Sequence, residues 1–167
     1  MEVLIFLGSA SDMEVGEEIV HILDRMDVTY ELRITSAHRT PEKTRSLVRT
    51  AEEEGVKVII CCAGLSAHLA GVVAGETLLP VIGIPLASGP LNGLDSLLST
   101  VNMPGGIPVA TVSIGSRAGG KNAALLAVRI LALSNRVLAE KLREYKTELA
   151  LSVEEADRKF SKHSDHK

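Results

Sequence analysis

Three short runs of this chain are apolar almost throughout: Val3 to Leu7, Val58 to Cys62, and Val81 to Ile84, where only Gly83 lacks an apolar side chain. A strand of that kind has no polar face to offer water, so both of its faces must be covered. A parallel sheet with helices on either side covers them. Helical patterns do separate the runs. Asp12 is a good N-cap for a helix from Met13 to Met26, in which Ile19, Ile22, Leu23 and Met26 share a face. Tyr30, Leu32 and Ile34 alternate as a second strand. Thr40-Pro41 opens a second helix, with Thr as cap and Pro at the first helical position, and Gly55 suits the exit after Glu54. A small-residue helix over Ala67 to Thr77, another over Gly93 to Val101 and a fifth strand over Ala110 to Ile114 continue the alternation. From Asn122 to Leu151 the chain reads as helix, interrupted near Ser134-Asn135. The expected fold is an α/β three-layer sandwich on a five-stranded parallel sheet, flavodoxin-like, in one domain over residues 1–151. Residues 152–167 are polar, end in HSDHK, and are expected as a frayed helix or disordered tail.

Composition narrows the function. The 167 residues suit one domain, and an apolar content of 46% excludes global disorder. Eighteen basic against 21 acidic residues leave a net charge of -3, and aromatics are 2% with no Trp. Neither phosphate neutralisation nor base stacking is provided for, so no nucleic-acid partner is expected. No apolar run reaches membrane-spanning length, and the N-terminus has neither a basic lead nor a cleavage-type region. A cytoplasmic protein without a membrane partner is expected. Cys61 and Cys62 are adjacent, form no CxxC, and read as core filling. Between Lys57 and Arg117 there is no Lys or Arg, and Glu76 and Asp95 are the only formal charges. A small monomer needs Lys and Glu on its surface, so this stretch is expected to be buried in a core or against other subunits; a homo-oligomer is expected, with a few buried strands joined by small-residue loops as the other reading.

The loops after the strands carry the chemistry, because an open parallel sheet binds ligands outside the carboxyl ends of its strands. Gly8-Ser9-Ala10-Ser11-Asp12 offers hydroxyls and free N–H groups at a helix start, where a phosphate can be held. It is neither a Walker A loop nor GxGxxG. Thr35-Ser36-Ala37-His38-Arg39-Thr40-Pro41 puts an Arg, suited to bidentate phosphate contact, beside a His, the residue type most used for proton transfer. The loop from Cys62 to Gly71 is rich in small residues and contains His68, read either as a site residue or as a satisfied interface histidine. LASGPL, NMPGGIP and GSRAGGK follow later, and Arg117 and Lys121 in the last read as solvated surface charges. No HExxH, GxSxG or paired-carboxylate signal is present, few carboxylates lie near the loops, and neither a metal nor a cofactor is expected. The residues alone thus describe an oligomeric α/β domain that binds a small phosphorylated ligand and has a His for proton transfer.

GSASD at residues 8–12, SAHRTP at 36–41, AGLSAHL at 63–69, LNGLDSL at 91–97 and MPGGIPV at 103–109 occur in that order. Together they resemble the PurE family of purine biosynthesis over about Met1 to Leu133. Arg39 and the Ala67-His68 pair side with class I of that family, the N5-carboxyaminoimidazole ribonucleotide mutases. Class II, which carboxylates aminoimidazole ribonucleotide directly with CO2, resembles SAHK and a Ser-Asn pair at these places. The third loop departs from the common class I form AGGAAHLPG, with Leu65-Ser66 and Ala70 in place of its residues.

The resemblance implies that His38 is the general acid/base. It implies that Ser9, Asp12, Ser36 and Arg39 contact the ribose and its phosphate. It implies that Ala63, Gly64, His68 and Leu69 enclose the aminoimidazole and its carboxylate. It further implies no metal or organic cofactor, and a homo-octamer. Direct carboxylation by a class II-like enzyme and a non-catalytic module for a phosphorylated ligand are the alternatives. Flavin binding is disfavoured, because no aromatic stands in the first or third loop.

Overall fold

The computed structural model describes residues 1–115 and 117–164. Five parallel strands alternate with helices: β1 (Val3–Leu7), α1 (Met13–Arg25), β2 (Tyr30–Ile34), α2 (Pro41–Glu53), β3 (Val58–Gly64), α3 (Leu69–Glu76), β4 (Val81–Leu86), α4 (Leu94–Val101), β5 (Ala110–Thr111), α5 (Arg117–Ala132) and α6 (Arg136–Ser164). The strand order is β2-β1-β3-β4-β5, the flavodoxin-like order, so the direction of winding reverses between β1 and β3. The chain forms two compact units, Met1–Ile130 and Leu131–Lys167.

The apolar runs take the buried places. All five residues of β1 and all six of β4 are buried, whereas β2, at an edge, leaves Ile34 39% exposed. Alternate residues sort onto two faces. Leu4, Phe6, Ile59 and Cys61 pack with Val48 and Ala51 of α2 and with Leu69, Ala70 and Val73 of α3. On the opposite face, Gly16 of α1 brings that helix against Leu7 and Leu32, and Gly119 of α5 lies beside Ile84. Each fully buried Ile or Phe contributes about 1.5–3 kcal/mol of burial, so the position of the strand ends is held firmly.

Helix ends follow the sequence in part. Gly55 has φ +80, and Val56 N–H reaches Ala51 O at 2.9 Å, the Schellman closure that the Gly predicts. Neither predicted N-cap acts as one: Asp12 and Thr40 make no side-chain bond to the helices they precede. A single 3-10 turn over Ala10–Asp12 occupies the start of α1, and its own cap is Ser9, which accepts from Ser11 N–H. Helix α3 begins at Leu69 rather than Ala67, because His68 is in the left-handed region at φ +39. Strand β5 is shorter than Ala110 to Ile114, pairing with β4 alone at the sheet edge.

Helix α5 starts at Arg117, so residues 117–121 of the GSRAGGK loop belong to its first turns, while Ser116 lies outside the described residues. The break near Ser134-Asn135 is present, and Asn135 Oδ1 accepts from Val137 and Leu138 N–H to start α6. That helix passes Leu151 and continues to Ser164, with ion pairs such as Arg158 Nη2 to Glu154 Oε2 at 3.4 Å along its exposed surface. The last three residues of the expected tail, 165–167, are outside the described residues.

Candidate functional site

At the carboxyl ends of β1, β2 and β3, beside the point where the winding reverses, the loops surround a cleft of about 470 Å³. That volume is ample for a nucleotide-sized ligand. Gly8, Ser9, Ser11 and Asp12 form one wall, Ser36, Ala37, His38 and Arg39 a second, Ala63, Gly64, Leu65, Ala67 and Leu69 a third, and Ser88 the remainder.

The first wall is built around a carboxylate that has been released from capping. Asp12 Oδ1 accepts from Ser11 Oγ at 3.1 Å instead of holding a helix N–H. Burial raises its carboxyl above the ordinary 3.8, and hydrogen bonds from the Ser11 side chain and the Ser9 backbone oppose the rise. A half-buried acceptor beside two serine hydroxyls suits polyhydroxylated ligands such as a sugar.

The second wall is braced from below by threonines. Thr35 and Thr44 are buried, and their hydroxyls lie 2.8 Å apart. Thr40 Oγ1 lies 3.3 Å from Thr35 Oγ1, accepts from Ser36 N–H at 2.9 Å and donates to Ser36 O at 3.2 Å. The hydroxyl expected to cap α2 is therefore turned back into the loop, which it ties into a closed ring of hydrogen bonds. Ser36 Oγ accepts from Arg39 N–H at 3.2 Å, and Arg39 Nη2 donates to Gly8 O at 3.3 Å. That last bond joins the first two walls and leaves the other guanidinium donors for an anion. His38 is exposed at the cleft, on a loop that the hydrogen bonds of Ser36, Arg39 and Thr40 hold.

The third wall owes its shape to small residues. A Cβ on Gly64 would fall 1.8 Å from Ser88 Oγ, so the end of β3 and the loop after β4 touch only because residue 64 is Gly. Leu65 has φ +55.

The structure brings Ser9, Asp12, Ser36, His38, Arg39, Ala63, Gly64 and Leu69 together around one cleft. His68 departs from its expected place there. Its Nδ1 is 2.6 Å from Ser99 O on α4, its ring lies over Gly71, and it forms no part of the cleft wall. The left-handed backbone of His68 turns the ring away while Leu69, the next residue, faces the cleft. The sequence reading passes over Leu65 and Ser88 as site residues. Both stand in carboxyl-end loops, and that position was the signal available for them. Thr35 also stands in a carboxyl-end loop, but its bond to Thr44 had no signal, since a buried hydroxyl network is invisible before the helix and the strand are docked. Arg117 is 3.7 Å from Glu18 and outside the cleft. Cys61 and Cys62 are buried in β3, and burial pushes both thiols far up, so they are protonated core residues. Among the described residues no cluster of His, Cys, Asp or Glu could hold a metal ion, and no helix is long and apolar enough to cross a membrane.

Comparison with known proteins agrees with this architecture. Residues 2–152 match the family model described as AIR carboxylase. The chain is 53% identical over 151 residues to the N5-carboxyaminoimidazole ribonucleotide mutase of Pyrococcus horikoshii, covering 90% of this chain and 84% of the relative. It is 54% identical over 140 residues to the protein of the same name from Bacillus subtilis, covering 84% and 86%. The crystal structure of Treponema denticola PurE superposes with a TM-score of 0.85 at 35% identity, over 94% of this chain and 96% of that one.

Proposed function

Since the chain belongs to the AIR carboxylase family, we propose that it works as an N5-carboxyaminoimidazole ribonucleotide mutase in purine biosynthesis. The observation that carries this reading is the cleft itself, where His38 and Arg39 stand on a braced loop facing Asp12 and the serines of the first loop. Arg39 takes the phosphate with its free donors, and Ser9 and Ser36 assist it. Asp12, an anion, is unsuited to phosphate and accepts from the ribose hydroxyls. Ala63, Gly64 and Leu69 lie against the aminoimidazole.

Chemistry follows from a single proton carrier. His38 gives a proton to the exocyclic nitrogen as its bond to the carboxyl carbon breaks, and CO2 is released inside the cleft. Carbon 4 of the ring attacks that CO2 and forms the new carbon–carbon bond. The proton on carbon 4 then passes to His38, which restores the starting enzyme. No net proton, electron or atom is gained. The step demands that water be kept from the CO2.

Arg39 and the Ala67-His68 pair, the residue types of class I, favour the mutase over direct carboxylation. We also place the protein in the cytoplasm, as a homo-octamer. The apolar exposed edge of α4, with Leu94, Leu98 and Val101 about half exposed, supports assembly. A turnover assay with N5-carboxyaminoimidazole ribonucleotide, set against aminoimidazole ribonucleotide plus bicarbonate, tests the function. Fast formation of the 4-carboxy product from the first substrate alone is expected. Faster formation from the second pair would assign direct carboxylation instead.

A further inference from the structure

Leu65 is a large apolar residue in a conformation that favours glycine, with φ +55 and half its surface exposed. Exposure offers no packing reward for that strain, so the surroundings of the side chain must account for it. They do so at Gly89. A Cβ on Gly89 would fall 2.4 Å from Leu65 Cδ2, which means that the Leu65 isobutyl group fills the place a side chain would take there. Ser88 makes the reciprocal contact, its Oγ lying where a Cβ on Gly64 would be. Two interlocked pairs, Leu65 on Gly89 and Ser88 on Gly64, thus fasten the loop after β3 to the loop after β4. Leu65 and Ser88 both line the cleft.

We propose that Leu65, docked on Gly89, is a positioning residue that holds these two loops together and closes the cleft against the escape of CO2 during the reaction. The inference rests on the mutase reading given above. The left-handed backbone directs the side chain across the gap, and the apolar group it places there excludes water from the fragment that water would remove. If the wall opens, the carbon–nitrogen bond still breaks, but CO2 exchanges with solution before carbon 4 attacks it. Aminoimidazole ribonucleotide and CO2 are then released, or a CO2 from solution enters the product.

The test is isotopic. Unlabelled N5-carboxyaminoimidazole ribonucleotide is converted by excess enzyme in ¹³C-bicarbonate buffer, so that conversion outruns exchange in solution. The ¹³C content of the product carboxylate and the aminoimidazole ribonucleotide released are measured. Leu65→Gly keeps the backbone conformation at no steric cost, and Leu65→Asn keeps it with a polar group. Both are expected to raise label in the product and release of aminoimidazole ribonucleotide at least fivefold, with KM changed less than threefold. Leu65→Met, which restores apolar cover, should return both readings to near the wild-type level. Equal labelling in wild type, Leu65→Gly and Leu65→Asn would overturn the proposal while leaving the mutase reading intact. Failure of the wild type to convert the substrate at all would overturn the mutase reading and this proposal with it.

Discussion

Asp12 stands where a carboxylate ordinarily caps a helix, yet it bonds Ser11 and faces the cleft. A group moved from a stabilising place to a binding place should show the exchange. Its carboxyl is raised by burial, so over the window from 3.8 up to its folded value the folded chain holds a proton that the unfolded chain has lost. Folding is therefore favoured below that window and penalised above it. Asp12→Asn is expected to melt higher than the wild type at pH 7 and to lose that advantage in acid below about pH 3.8. The same variant should raise KM about tenfold or more, as the loss of a charge-assisted hydrogen bond of ~1.5–3 kcal/mol implies. Arg39→Lys should likewise raise KM more than it lowers kcat, by about 1–3 kcal/mol of lost bidentate contact. Steady-state kinetics with thermal melts across pH measure both. His68 belongs to a different account, because its ring is bonded to Ser99 O. His68→Ala should cost about 1–3 kcal/mol of stability with a smaller effect on turnover than any change at His38. A His68→Ala protein of normal stability and no turnover would contradict that placement.

At the scale of elements, the strand runs were legible because complete apolarity has few structural solutions, and the parallel sheet with its loops at one end followed. The loops at 8–12, 36–41 and 63–69 were legible for the same reason, since topology aims them at one place. Less legible was what a given hydroxyl bonds. Asp12 and Thr40 both carry good cap chemistry, and only the docked structure shows Thr40 closing the loop that bears His38. The length of the last helix was underread for a related reason. Polar sequence at 152–164 suggests fraying, whereas charges placed at helical spacing support a helix without any core. The threonine ring yields its own prediction. Thr44→Val preserves shape but removes the buried hydroxyl bonded to Thr35, which keeps Thr40 Oγ1, and one of the two bonds to Thr40 O, which keeps Thr44 N–H. It should cost about 0.5–1.5 kcal/mol, seen as a lower melting temperature. It should also lower kcat more than it raises KM, because the loop under His38 loosens. Unchanged kcat in a destabilised protein would limit the ring to a structural part.

At the scale of the molecule, the stretch from 58 to 115 combines fully buried strands with exposed apolar side chains, Leu78, Leu91, Leu94, Leu98 and Val101. The absence of Lys and Arg there has one source in the sheet core, and the proposed assembly would supply a second by covering the exposed apolar side chains. Light scattering at micromolar concentration is expected to report an octamer, and Leu98→Glu, placing a charge on the exposed edge of α4, is expected to reduce the assembled mass. A wild-type monomer would contradict the assembly. Proton transfer by one side chain, His38, is reached by one paired measurement. His38→Asn keeps a polar group on the braced loop and removes the titrating nitrogen. Single-turnover conversion of N5-carboxyaminoimidazole ribonucleotide should fall by about 10²–10⁴-fold in this variant, while calorimetric affinity for the ribonucleotide stays within threefold of wild type. Conversion at near the wild-type rate with His38 replaced would contradict the account.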